Sequence, residues 1–174
     1  VARRSIVVVP HVALTQKARE INEIDDRIRD LAADMAETMY RVPGLGLAAN
    51  QVGELFRLIV VDIVYPYAEP HEKKKRPLFI INPVISTCEG LSVKEEGCLS
   101  VPEFGLEVER SERLCVTGSD LEGRPLKIEA EGLMARVLQH EIDHLDGTTL
   151  LDHASSLKRN LYKRRLKKQG RRER

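Results

Sequence analysis

EGLMARVLQHEIDHLDG, residues 131–147, sets two histidines four residues apart with a glutamate directly after the first. Leu133, Val137, His140 and His144 recur at steps of three and four, the period of one helix face, and Gly147 stands where such a helix ends. A helix here puts His140 and His144 about one turn apart on one face, so both imidazoles can converge on one metal ion. Glu141 lies beside that point, where a carboxylate can take a proton from an activated water. Leu133 and Val137, upstream on the same stripe, give the point an apolar wall. The bland account, a surface pair of histidines among helix-stabilising acids, is weaker because the stripe around the pair is apolar.

Two histidines need a third protein ligand. Downstream of Gly147 only Asp152, His153 and Glu173 offer one, and His153 follows His144 by nine residues, not by the six of the extended HExxHxxGxxH pattern. Upstream, EEGCLSVP (95–102) is the better source. Cys98 follows Gly97, where backbone can approach a ligand closely, and precedes Pro102, which restricts the chain. A Cys-His-His set leaves a fourth position open, as catalytic metal sites do and structural sites do not. Cys88 and Cys115 lie in strand-like segments and read as small buried hydrophobes. A third stretch, GLGLAANQVG (44–53), turns tightly at its glycines and offers the Gln51 amide as a donor to an oxyanion. Without a following GK[ST] it is no phosphate loop.

The rest of the 174-residue chain frames these stretches. With 42% hydrophobic and 32% charged residues it reads as a globular protein with an aliphatic core, since Trp is absent and only 4% is aromatic. No apolar run approaches the roughly 20 residues that span a bilayer. Three cysteines without CxxC spacing argue against a disulfide framework and for the cytoplasm. Residues 18–41 carry Ile21, Ile24, Ile28, Leu31, Met35 and Met39 at helical spacing, stopped by Pro43, Gly44 and Gly46. LIVVDIV (58–64) and LFIINPVI (78–85) read as strands, as do shorter stretches at 90–94, 105–109, 113–118 and 125–130. Between the first two, YPYAEPHEKKKRP (65–77) reads as an exposed, mobile excursion remote from any chemistry. The expectation is an α+β fold: antiparallel sheets packed around a central HExxH helix, with an N-terminal helix and a basic C-terminal one. Residues 1–154 form the catalytic body and 155–174 a tail of the same domain. From Lys158 onward the tail holds ten Lys or Arg and one Glu, net +9, so a chain of net +1 leaves −8 on the remainder. That asymmetry suggests an anionic partner for the tail.

Together GLGLAANQVG, EGCLS and QHEIDHLDG, in this order and spacing, resemble the peptide deformylases, and the similarity runs from about Val7 to Lys168. The short basic C-terminal segment is most like bacterial type 1 members. The resemblance implies hydrolytic removal of the N-formyl group from the formylmethionine of newly made polypeptides. It implies that Cys98, His140 and His144 bind one divalent metal, commonly Fe²⁺, with Zn²⁺, Ni²⁺ or Co²⁺ accepted by the same ligands. It makes Glu141 the general base, then acid, and Gln51 with the Leu99 backbone N–H the oxyanion donors. Leu45, Gly46 and Gly97 would pair with the peptide backbone. Leu45, Leu133 and Val137 would line the methionine pocket, braced by Glu96 and Arg110. A ribosome contact through the tail, to RNA or protein near the exit tunnel, is implied as well. Gly105 stands where many relatives carry a basic residue, which leaves peptide contacts there open. Two other classes compete: a metallopeptidase with the same HExxH, and a nucleic-acid-binding protein with a structural metal.

Overall fold

The computed structural model describes residues 2–42 and 44–172. Pro43, expected to help stop the first helix, and Glu173 of the tail lie outside them. Strands β1 (Gly46–Ala48), β2 (Leu58–Val61), β3 (Leu78–Glu89), β6 (Arg113–Ser119) and β7 (Pro125–Glu131) form one antiparallel sheet in the order β1-β2-β3-β6-β7. β4 (Ser92–Cys98) and β5 (Val101–Arg110) pair as a separate two-stranded sheet. Helices α1 (Asp26–Arg41), α2 (Gly132–Leu145) and α3 (Ser156–Arg172) complete the α+β fold.

β2 shows how four residues organise two layers. Side chains alternate along a strand, so Leu58 and Val60 join Ile28, Leu31, Met35 and Met39 of α1 on one face. Ile59 and Val61 join Ala135, Leu138, Ile142 and Leu145 of α2 on the other. All four are essentially inaccessible. The HExxH helix is thereby clamped against the five-stranded sheet by its apolar stripe. Its end is fixed from outside, because Leu145 O accepts from Ala18 N–H at 2.7 Å. Gly147 has φ +77°, and a Cβ there would stand 2.8 Å from Thr15 O, so conformation and close approach both demand glycine.

Three expectations need correction. The first helix begins at Asp26, not residue 18, with Asp25 capping Ile28 N–H at 2.9 Å. Ile21 is instead held outside any helix by the Asn82 side chain, which accepts from its N–H at 2.9 Å and donates to its carbonyl at 2.8 Å. Ile21 and Ile24 still reach the α1 cluster, and that is why they mimic helical spacing. β2 stops at Val61 because Asp62 turns the chain, its Oδ1 accepting from Val64 N–H at 3.1 Å and Tyr65 N–H at 3.0 Å. β3 runs on to Glu89 as a solvent-facing arm, so Cys88 is exposed rather than a core residue, whereas Cys115 is buried.

Candidate active site

His140 and His144 project from α2 toward Cys98 at the end of β4. Cys98 Sγ lies 3.3 Å from His144 Nε2, and one ligand atom from each of Cys98, His140 and His144 falls within 4.8 Å of the others. The histidines are oriented differently. His140 Nδ1 meets Glu96 Oε2 at 3.0 Å, which leaves Nε2 for a metal. His144 is 1% exposed and its Nδ1 has no partner among the described residues.

Glu96 anchors the surroundings. Arg110 bonds both of its oxygens at 3.0 Å, and Arg136 reaches Oε1 at 2.7 Å. Burial alone would raise the Glu96 pKa, but the His140 hydrogen bond and then Arg110 outweigh it and hold the carboxyl well below its usual range. Arg110 continues to Asp143 at 2.6 Å, and Asp143 meets His153 Nε2 at 2.8 Å. Thus His153 belongs to this outer network and not to the ligand set. Burial also lowers the His140 pKa, yet the Cys98 and Glu96 contacts raise it well above the ordinary value. His144 is held well below that value by burial and by the neighbouring His140 charge.

Glu141 faces the same space. Burial pushes its carboxyl up to about 7, and its Oε2 is buried without a hydrogen-bond partner among the described residues. Its other side rests on Gly46, where a Cβ would stand 2.7 Å from Oε1 and 2.8 Å from Cγ. Gln51 is aimed by the backbone three residues before it: Ala48 N–H donates to Oε1 at 2.9 Å, so Nε2 turns toward Ser100 Oγ at 3.3 Å and Cys98 Sγ at 3.8 Å.

These groups open onto a cleft of about 710 Å³. Leu45, Gly46, Gln51, Glu96, Gly97, Cys98, Leu99, Leu133, Val137, His140 and Glu141 all line it. His144 and Arg110 sit behind that wall. A cysteine sulfur, two imidazoles, a carboxylate oxygen without a partner among the described residues and an amide donor directed at that sulfur, all around one space, suit a hydrolytic metal. Three residues were not singled out from the sequence: Arg136, Ser100 and Asp143. Arg136 was legible, since it lies four residues before His140 on the same helix face.

The Polypeptide deformylase family model matches residues 3–160. The chain belongs to the peptide deformylase family. A peptide deformylase of Thermodesulfovibrio yellowstonii is 48% identical over 158 residues, covering 91% of this chain and 93% of that one. One from Alkalilimnicola ehrlichii is 48% identical over 163 residues, covering 94% and 88%. The crystal structure of a peptide deformylase from Legionella pneumophila superposes with a TM-score of 0.88 at 41% identity, covering 99% and 98% of the two chains. The chain is therefore an enzyme, a deformylase that removes the N-formyl group from nascent polypeptides. The comparisons give no support to the peptidase or the nucleic-acid-binding reading. No helix among the described residues is long and apolar enough to cross a membrane.

Proposed function

We propose that deformylation runs on Cys98, His140 and His144 as ligands of one divalent metal, with Glu141 as general base and then general acid. The observation that carries this is the convergence of the three ligand atoms within 4.8 Å beside a buried carboxylate oxygen that has no partner among the described residues. The metal supplies Lewis acidity, which raises the acidity of water and polarises the formyl carbonyl. Glu141 takes a proton at Oε2 and returns it to the departing amine nitrogen, so formate and a free amino terminus result. Gln51 Nε2 and the Leu99 N–H stabilise the oxyanion, which an unreactive formamide needs. The metal is Fe²⁺ in this reading, with Zn²⁺, Ni²⁺ or Co²⁺ able to replace it. Metal analysis of anaerobically purified protein should find one iron per chain, and a different metal at full occupancy and activity would exclude iron.

β1 is the edge strand of its sheet, so Leu45 and Gly46 offer backbone groups to an incoming peptide, with Gly97 on the β4 side. Leu45, Leu133 and Val137 receive the methionine side chain. Each buried methylene contributes about 0.8 kcal/mol. Release of formate from formyl-Met peptides, with much weaker turnover of formyl-Ala peptides, tests the reading; equal efficiency on both would remove the pocket assignment. Gly46 adds a position-specific test. In Gly46→Ala the new methyl displaces the Glu141 carboxylate, and misplacement by about 1 Å can cost roughly 100-fold in rate. Gly44→Ala, whose Cβ would meet nothing nearer than Leu99 Cδ1 at 3.4 Å, should lose far less. Equal losses in both would separate Gly46 from Glu141.

The tail, in the same reading, holds the enzyme near the ribosome's exit tunnel, where nascent chains emerge and RNA is the anionic partner. α3 docks through Tyr162, which is 4% exposed and donates to Pro102 O at 2.8 Å, and through Leu166. Leu157 and Leu161, on the same helix, face solvent. Deleting residues 158–174 would therefore strip Tyr162 from the core as well as remove charge. Replacing Lys163, Arg164, Lys167 and Lys168, all exposed, by Gln is the cleaner variant. Ribosome co-sedimentation should fall steeply with salt and be lost in this variant, while short peptides are still turned over. Unchanged co-sedimentation would make the tail a solvated face. The cytoplasm is the proposed location, consistent with a free, exposed Cys88 and a site built on a thiol. Residues 1–154 and 155–174 then act as catalytic body and docked tail of one domain.

A further inference from the structure

The 65–77 excursion is not remote from the site. It leaves the sheet directly after the Val61–Gly46 pair, and Asp62 N–H donates to Leu45 O at 2.9 Å. Its root is thus continuous with the strand edge that borders the cleft. One carboxylate ties both of its ends. Asp62 accepts Val64 and Tyr65 N–H on Oδ1, and Arg76 N–H at 2.8 Å with the Tyr40 hydroxyl at 2.6 Å on Oδ2. The Tyr40 and Tyr65 rings meet edge-on at 4.7 Å, with the Lys75 and Lys73 ammonium groups over them at 4.9 and 5.4 Å.

With those rings and lysines engaged, Tyr67 stands apart. It lines the cleft, is 70% exposed, and among the described residues no ring or cation covers it. Packing of the fold does not account for a bare aromatic ring at that place. Nor does formyl-methionine, whose side chain the Leu45, Leu133 and Val137 wall receives.

We propose that Tyr67 is a specificity-determining residue of the cleft, its ring packing against an apolar or aromatic side chain at the second or third residue of the substrate. The inference rests on the deformylase reading and extends it. A peptide added to the β1 edge passes the root of the excursion, and an extended chain advances about 3.3 Å per residue. The second and third residues therefore lie within one or two steps of the first, in the cleft that Tyr67 lines. Pro102 and Phe104 line the same cleft and add apolar surface to it.

The test uses metal-loaded enzyme and two substrate series, formyl-Met-Phe-Ala with formyl-Met-Ser-Ala, and formyl-Met-Ala-Phe with formyl-Met-Ala-Ser. An aromatic contact of this kind corresponds to about a threefold to tenfold preference. In Tyr67→Ala the Phe-over-Ser ratio of kcat/KM should fall by that factor in at least one series, carried by KM. Tyr67→Phe should keep the ratio. The chain contains no tryptophan, so Tyr67→Trp introduces a lone indole, excitable apart from the tyrosines, whose emission should shift when the product peptide Met-Ala-Phe or Met-Phe-Ala binds. Unchanged ratios in Tyr67→Ala, an equal loss on all four substrates, or a silent Tyr67→Trp would each overturn the role of Tyr67. A wild type that releases no formate from any of the four would instead overturn the deformylase reading beneath it.

Discussion

Glu141→Gln should retain its metal and lose about 10²- to 10⁴-fold in kcat, the range attributable to a positioned acid–base group. The isosteric amide keeps the shape that rests on Gly46, and neither His140 nor His144 is bonded to Glu141 among the described residues. What disappears is the ability to accept and return a proton. In wild type the carboxyl stands near 7 through burial, and a bound dication favours its ionised form. The sign of the pH dependence follows. The base must be ionised, so kcat/KM falls as pH drops, with the acid limb at about 7 or below. Glu141→Gln should lose that limb along with its rate. A metal-loaded Glu141→Gln protein at wild-type speed would move the base elsewhere.

Cys98→Ser carries the second large effect. Even outer partners of a metal site typically contribute 10- to 100-fold in affinity, so loss of a thiolate ligand should weaken metal binding by at least about 100-fold. Activity at limiting metal should go with it. The other two cysteines supply the comparison. Cys88 lies exposed on the β3 arm, and Cys115 is buried in β6 against the sheet. Cys88→Ser should behave as wild type, and Cys115→Ala should lose some stability but keep its metal stoichiometry. Equal metal content across the three variants would take Cys98 out of the ligand set.

Much of this site was legible because its chemistry is local. His140, Glu141 and His144 share one helix face, and residue order alone places them. Cys98 was readable by a different route, from the shortage of downstream donors and from its glycine and proline neighbours. What could not be read is what depends on tertiary partners. Residues 18–25 carry a helical apolar pattern, yet the Asn82 side chain satisfies both backbone groups of Ile21 and keeps it out of the helix. No local rule shows a donor and acceptor arriving from 61 residues away. The 65–77 excursion looked detached for the same reason. Its composition is that of a solvated loop, while the Asp62 carboxylate that ties it down lies just before it and the Tyr40 hydroxyl comes from α1. Gly105 is a related case: a Cβ there would stand 2.5 Å from Oε1 of the exposed Glu95, so a side chain at 105 needs that carboxylate on the neighbouring strand to swing aside.

The carboxylate of Glu96 accepts from two arginines and meets His140, and that arrangement bears on the order in which the enzyme is assembled. In a small zinc module the ion is part of the folding reaction, and chelation unfolds the chain. Here β4, β5 and α2 are joined by protein–protein bonds that use no ligand atom of the Cys-His-His set: Arg110 and Arg136 come from β5 and α2, and Glu96 from β4. The shell is thus a preformed receptacle. A newly made chain should therefore complete its fold without metal and take it up afterwards, and a chelator should silence the enzyme reversibly while its backbone circular dichroism stays in place.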